Sequence, residues 1–182
     1  MSDREKLRVG QSFGHGKFFE LDVKQLSDGM YPYVRTGPAT MTLPWRYTVA
    51  GPIEVCLLVQ IRAGTGGSEI VKVSGGYDGD RTRDVAALAH TKAKLGLASD
   101  EHEMLWWRMC LGCGPQYKFP IVYGFLQNPK SIGEPTTKDC SARCMPLQEA
   151  CKLATSRDSP FFDDFSAAHL LTLLMHHSEI AA

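Results

Sequence analysis

Apolar residues alternate over Ile53–Ile61. Ile53, Val55, Leu57, Val59 and Ile61 fall on one face, with Glu54, Cys56, Leu58 and Gln60 on the other. A period of two is the strand repeat. Residues 45–49 read as a further strand, bent away by Gly51-Pro52. The glycine-rich run 63–68 followed by residues 69–73 completes a hairpin. The period then changes. Val85, Leu88, Ala89 and Leu95 share one side of a helix that Asp80 or Thr82 can cap, and Gly96 stands where a left-handed residue ends it. Asp100 with Glu103 resembles a capping box. Residues 104–111 are apolar in either period, so helix and strand both fit. Residues 117–126 have strand composition, with Pro120 confining them to an edge or a bulge.

Residues 127–137 read as a loop. A short helix over 146–155 turns Leu147, Ala150, Cys151 and Ala154 inward. Ser159-Pro160 opens a last helix to about His177, with Phe161 or Phe162, Phe165, Leu170, Leu173 and Leu174 on its apolar side. Residues 1–44 differ: 10–16 read as loose, 17–26 as a short helix or strand, and 29–44, with Pro32, Gly37, Pro38 and Pro44, as extended chain. The pattern predicts an α+β fold. A small antiparallel sheet packs against a few helices over residues 45–182, and an extended N-terminal arm covers residues 1–44.

Composition narrows the function classes. At 182 residues the chain suits one domain. With 43% hydrophobic and 22% charged residues, wholesale disorder is excluded. Twenty basic residues balance twenty acidic ones, which argues against a dedicated nucleic-acid binder and removes the self-repulsion that opposes association. No run of signal-peptide form opens the sequence, and the apolar stretches 53–61 and 170–175 are too short to span a bilayer. A reducing cytosol is therefore expected. Of the six cysteines, thiols or a metal site come before disulfides.

Cys110-Leu-Gly-Cys113-Gly has the form of a zinc knuckle, and Cys140 with Cys144 supplies a second pair. Four thiolates in a tetrahedron would hold structural zinc. The second pair is spaced one residue too far, and the alternative is small core residues. A redox role for Cys110 and Cys113 wants a strand-to-helix context that the flanks do not give. Asp78-Gly-Asp80-Arg-Thr82 matches the nucleophile and acid string of magnesium-dependent phosphatases. Those enzymes need a strand ending at the first Asp, whereas Ser74-Gly-Gly-Tyr77 intervenes, so a turn and helix cap is the simpler account. The same string fails as a calcium loop, because Arg83 stands for the required Gly and Ala89 for the Glu. His169 and His176 read as a solvated helix end. Trp106 and Trp107 cannot both face inward, so one meets a neighbouring element or another subunit.

The order of elements from Trp45 to Leu126 resembles the central domain of rhabdovirus matrix proteins of plant-infecting, cytorhabdovirus-like type. The likeness lies in Tyr47-Thr-Val-Ala-Gly-Pro-Ile-Glu-Val-Cys56, in the helix Arg83-Asp-Val-Ala-Ala-Leu-Ala-His90, in Leu105-Trp-Trp-Arg-Met-Cys-Leu-Gly112, and in the strand composition of 119–126. The chain is neutral where such proteins are often basic, and it has no P-P-x-Y or P-T-A-P motif. The resemblance implies a non-enzymatic protein of the virion and host cytoplasm. Such a protein self-associates and links a nucleoprotein–RNA complex to the inner membrane surface, and it takes no small-molecule substrate. Phe18, Phe19, Tyr31, Tyr33 and Trp106 are the expected self-association residues. The competing readings are a zinc-stabilised adaptor or nucleic-acid-binding protein, such as a viral silencing suppressor, and a small magnesium phosphatase.

Overall fold

The computed structural model describes residues 14–15, 19–36, 38–49, 51–61, 67–99, 104–110, 121–156 and 164–180. The N-terminal strands are β1 (Gly14–His15), β2 (Phe19–Leu26) and β3 (Gly29–Thr36). Next come β4 (Ala39–Tyr47), β5 (Ile53–Ile61), β6 (Glu69–Lys72) and β7 (Ser74–Tyr77). Helix α1 (Arg83–Leu95) leads to β8 (Leu97–Ala98), β9 (Met104–Cys110), β10 (Ile121–Gln127), β11 (Lys130–Ser131) and β12 (Cys140–Pro146). Helices α2 (Leu147–Thr155) and α3 (Asp164–Ile180) follow. The α+β class expected from the pattern holds.

The main sheet runs β12-β5-β4-β10-β9, with β6 beside β5 and β7 beside β4. All its pairings are antiparallel except β10 with β4. Alternation assigns the faces. Met41, Leu43 and Trp45 of β4, Val55 and Leu57 of β5, Phe125 and Met145 lie in one core with Leu147, Ala150 and Cys151 of α2 and Leu170 and Leu173 of α3. Cys56 and Leu58 of β5 point the other way, against Leu95 of α1 and Leu97. Helices thus cover both faces, the usual means of burying a sheet this apolar.

Strands β4 and β5 pair only near their turn, Trp45–Tyr47 against Ile53–Val55. Beyond that they diverge, and residues 69–77 fill the opening, β6 along β5 and β7 along β4. Val73, fully buried, is the corner between them. Its N–H is donated to Ser166 Oγ of α3 at 2.7 Å. At Gly75 a Cβ would lie 2.5 Å from the Thr40 carbonyl oxygen, so only glycine allows β7 this close to β4. Gly96 ends α1 at φ 64°, and the chain just after β11 is tied to it through Ile132 N–H, which donates to the Gly96 carbonyl.

Three expectations need correction, and one reading left open is settled. Among the described residues of 1–44, β2 and β3 pair as a hairpin around the turn at Ser27 and Asp28 instead of running as extended chain, and β4 begins at Ala39, before the expected boundary at 44, in the middle of the main sheet. Burial is continuous from Thr40 to Trp45, and the strand runs through Pro44. That proline falls between the last β7 pairing, at Thr42, and the first β5 pairing, at Trp45. Residues 104–110 are strand, resolving that ambiguity. Strand β10 is internal rather than at an edge, since it begins at Ile121, after Pro120. Within the expected loop 127–137, Lys130–Ser131 pairs with β8.

Replacing Ser166 with Ala leaves the buried Val73 N–H without an acceptor and is expected to lower unfolding free energy by about 1–3 kcal/mol in urea titration. Gly75→Ala, which forces backbone against backbone, is expected to cost at least about 1–3 kcal/mol in the same assay.

Candidate functional site

The chemistry-bearing side chains gather in two places on the α1 side of the sheet. The first is a polar layer beneath α1. Thr40 and Thr42 of β4 and Ser74 of β7 are fully buried, and Asp78, directly after β7, is 5% exposed. Thr40 Oγ1 donates to Asp78 Oδ2 at 2.9 Å, and the Asp78 N–H is donated to the Pro38 carbonyl. From α1, Thr91 is fully buried, the His90 ring lies against the Gly76 backbone, and Lys94 Nζ donates to the Gly75 carbonyl. Among the described residues, Thr42 Oγ1, Ser74 Oγ, Asp78 Oδ1, Thr91 Oγ1 and His90 Nε2 have no hydrogen-bond partner. Burial, and after it the Lys94 and Arg81 cations, holds His90 below the usual histidine range, while Asp78 and a hydrogen bond with the Tyr77 backbone act against this.

This layer contains a hydroxyl, an imidazole and a carboxylate, yet it is not assembled as a nucleophile and base. Ser74 Oγ and His90 Nε2 are not hydrogen-bonded to one another. Asp78 also bears on the phosphatase string. Residues 74–77, expected to separate strand from Asp78, are themselves the strand β7 that ends there. That strand is antiparallel to β4, however, and Asp78 is buried while Asp80 is exposed. Only one of the two carboxylates would meet a substrate.

The second place is a cleft of about 280 Å³ between the β4–β5–β12 surface and the loop carrying Pro129, Gly133 and Pro135. Leu95 and Leu97 form its apolar side, and Arg46 and Glu54, joined at 2.6 Å, stand among its lining residues. Cys56 and Cys144 lie in its wall, joined in a disulfide. The expectation of thiols or zinc at Cys144 is thereby overturned. The two cysteines face each other across the β5–β12 ladder with Cα atoms 4.1 Å apart, a proximity their separation of 88 positions conceals. Cys56 is 5% exposed, Cys144 is exposed, and Cys140, half-buried four residues earlier, keeps its thiol.

The zinc candidates are not brought together. Cys110 ends β9 and Cys140 and Cys144 are on β12, at opposite edges of the sheet with three strands between them. At a strand spacing of about 4.8 Å that is roughly 19 Å. Cys113 lies outside the described residues. Of the self-association candidates, Phe19 is in β2, Tyr31 and Tyr33 are in β3, and Trp106 is in β9 opposite Phe125. The first three belong to a separate three-stranded sheet, and Phe18 lies outside the described residues.

His169 was misjudged from sequence. It is 3% exposed rather than solvated, with its ring edge-on to Phe125 at 4.4 Å and Nε2 at 3.0 Å from the Gly124 carbonyl. A carbonyl only accepts, so Nε2 carries the proton. Burial lowers its pKa to about 3, against a smaller opposing effect of that hydrogen bond. The sequence signal was available: position 169 precedes Leu170 and lies four before Leu173, on the buried side of the helix.

No protein-family model matches this chain, and no curated protein matches it either.

The His169 shift sets a pH dependence. The folded pKa is below the unfolded value of 6.5, so between pH 6.5 and about 3 the unfolded chain holds one more proton than the folded one. This contribution to stability is complete above pH 6.5 and is lost as pH falls, by up to about 1.4 kcal/mol per pH unit. Denaturant titrations from pH 7 to 4 are expected to show a shallower decline for His169→Gln than for the parent. Equal slopes would count against the assignment.

Proposed function

We propose that this chain is a non-enzymatic structural protein of viral-matrix type. It self-assembles and links a nucleoprotein–RNA complex to the inner surface of a membrane envelope. The observation that carries self-association is the strand order. Among the described residues, neither β9 nor β12 has a strand on its outer side, and the two lie at opposite edges of the main sheet. An unpaired edge offers a row of N–H and C=O groups to another chain. Two such edges, each meeting its counterpart on a further copy, extend without closing. Over Cys140–Met145 strand β12 has a single charge, Arg143, and its proline, Pro146, is confined to the last position. A net charge of zero also leaves no long-range repulsion between copies.

The matrix part of the proposal rests on the resemblance from Trp45 to Leu126. It is consistent with a chain in which no helix among the described residues is long and apolar enough to cross a membrane. Contact with the envelope would then be peripheral. The exposed hairpin tip, with Tyr47 and Val49 both open to solvent, is an apolar feature of suitable kind. The zinc-adaptor and phosphatase readings gain no support from the separated cysteines and the buried Asp78.

Light scattering of the purified chain across concentration is expected to show species larger than a monomer. Ala142→Pro tests the edge directly. The Asp139 carbonyl accepts from Ile61 N–H, which makes 61 with 139, and by alternation 59 with 141, hydrogen-bonded pairs. The N–H of Ala142 therefore points outward, and proline there leaves the β5 ladder intact while blocking an added strand. The variant is expected to keep its circular dichroism and lose the larger species. Ala142→Lys serves the same purpose if proline perturbs folding. A parent protein that stays strictly monomeric at high concentration sinks the proposal.

A further inference from the structure

We infer that β12 pairs with β12 of a second copy, and that this contact converts the internal Cys56–Cys144 disulfide into intermolecular Cys140–Cys144 links. The inference rests on the self-assembly reading and names its partner and chemistry. The 4.1 Å separation of the Cys56 and Cys144 Cα atoms is that of a non-hydrogen-bonded pair, in agreement with the bond between Ile61 and Asp139. The outward backbone groups of β12 are therefore those of Cys140, Ala142 and Cys144.

An antiparallel partner strand must bond to those groups with its own outward groups. Full overlap of the two strands would set Arg143 opposite Arg143 and Cys140 opposite Pro146, which has no N–H to give; the longest two-fold register that keeps the like charges apart and Pro146 out of the ladder places Ala142 opposite Ala142. Cys140 then stands opposite the partner's Cys144, and the partner's Cys140 opposite Cys144, twice in one symmetric contact. Residues directly opposite project to the same face, with Cα atoms about 5.5 Å apart in a hydrogen-bonded pair. That separation lies within the range a disulfide spans. In this register Arg143 faces Ser141, so no like charges meet across the seam.

The sulfur atoms differ in access in the way exchange requires. Cys144 is exposed and Cys56 is buried beside Leu58, Leu95 and Leu97. An incoming thiolate therefore reaches Cys144 Sγ. The partner's Cys140 loses its proton and attacks Cys144 Sγ, forming the intermolecular S–S bond. The Cys56–Cys144 bond breaks, and Cys56 leaves with the electron pair and takes up a proton in its apolar surroundings. One disulfide is consumed and one is formed, so no oxidant is needed. Cys151 does not compete, because it is buried on the opposite face of the sheet, where burial pushes its thiol pKa up.

The test uses the full chain, purified without reductant and incubated at high concentration. Quenching with an alkylating agent is followed by a non-reducing gel and peptide mass spectrometry. A dimer band carrying a Cys140–Cys144 linked peptide, with Cys56 newly alkylated, is the expected result. Cys140→Ser is expected to abolish that band while light scattering still shows non-covalent oligomers. Oligomers without the link, or with a link between other cysteines, overturn the exchange and leave self-assembly standing. A strict monomer in both assays removes both.

Discussion

Where β4 and β5 part, beyond Trp45 and Val55, the chain at Val73 must pass from one strand to the other inside a fully buried layer, and its N–H needs an acceptor there. Ser166 of α3 supplies it, from 93 positions away. This bond couples the corner of the sheet to the last helix, and much of the architecture follows. With the corner set, β6 and β7 occupy the opening and Gly75 is pressed against β4. Helix α3 is then held over the core, with Leu170 and Leu173 directed inward. An unsatisfied buried amide is costly enough that the corner and the helix stand or fall together.

The two faces of the sheet are built differently. Under α2 and α3 the packing is almost wholly apolar, and His169 fits because its one donated bond goes to the Gly124 carbonyl. Under α1 a small apolar cluster adjoins a layer of threonine, serine, aspartate and histidine. Several of those polar atoms lack partners among the described residues, which makes this face the less tightly specified of the two. The cleft and the disulfide lie on that same side, beside the β12 edge. Self-assembly through sheet edges is compatible with that division, because edge pairing uses backbone groups and leaves both faces free for other contacts.

Much of the fold was legible in the sequence because it is local. Strand β5, the hairpin to β6, helix α1 with its Gly96 end, and helix α2 with Leu147, Ala150 and Cys151 inward all follow from periodicity and end signals, which act over a few residues. Proline misled where its cost depends on the neighbour. Pro32 sits within a hairpin strand, and Pro44 falls where β4 changes partners on one edge. Neither condition can be seen without the pairing.

The sequence by itself determined the α+β class, the net charge of zero and the residue types present for chemistry. Tertiary structure alone decided which of those residues meet. It joined Cys144 to Cys56 rather than to a metal, put Cys110 at the far edge, buried Asp78 under α1 and turned His169 into the core. Each of these outcomes depends on strand order and on which face a helix presents. Those are fixed by contacts between residues tens of positions apart, and periodicity along the chain carries no record of them.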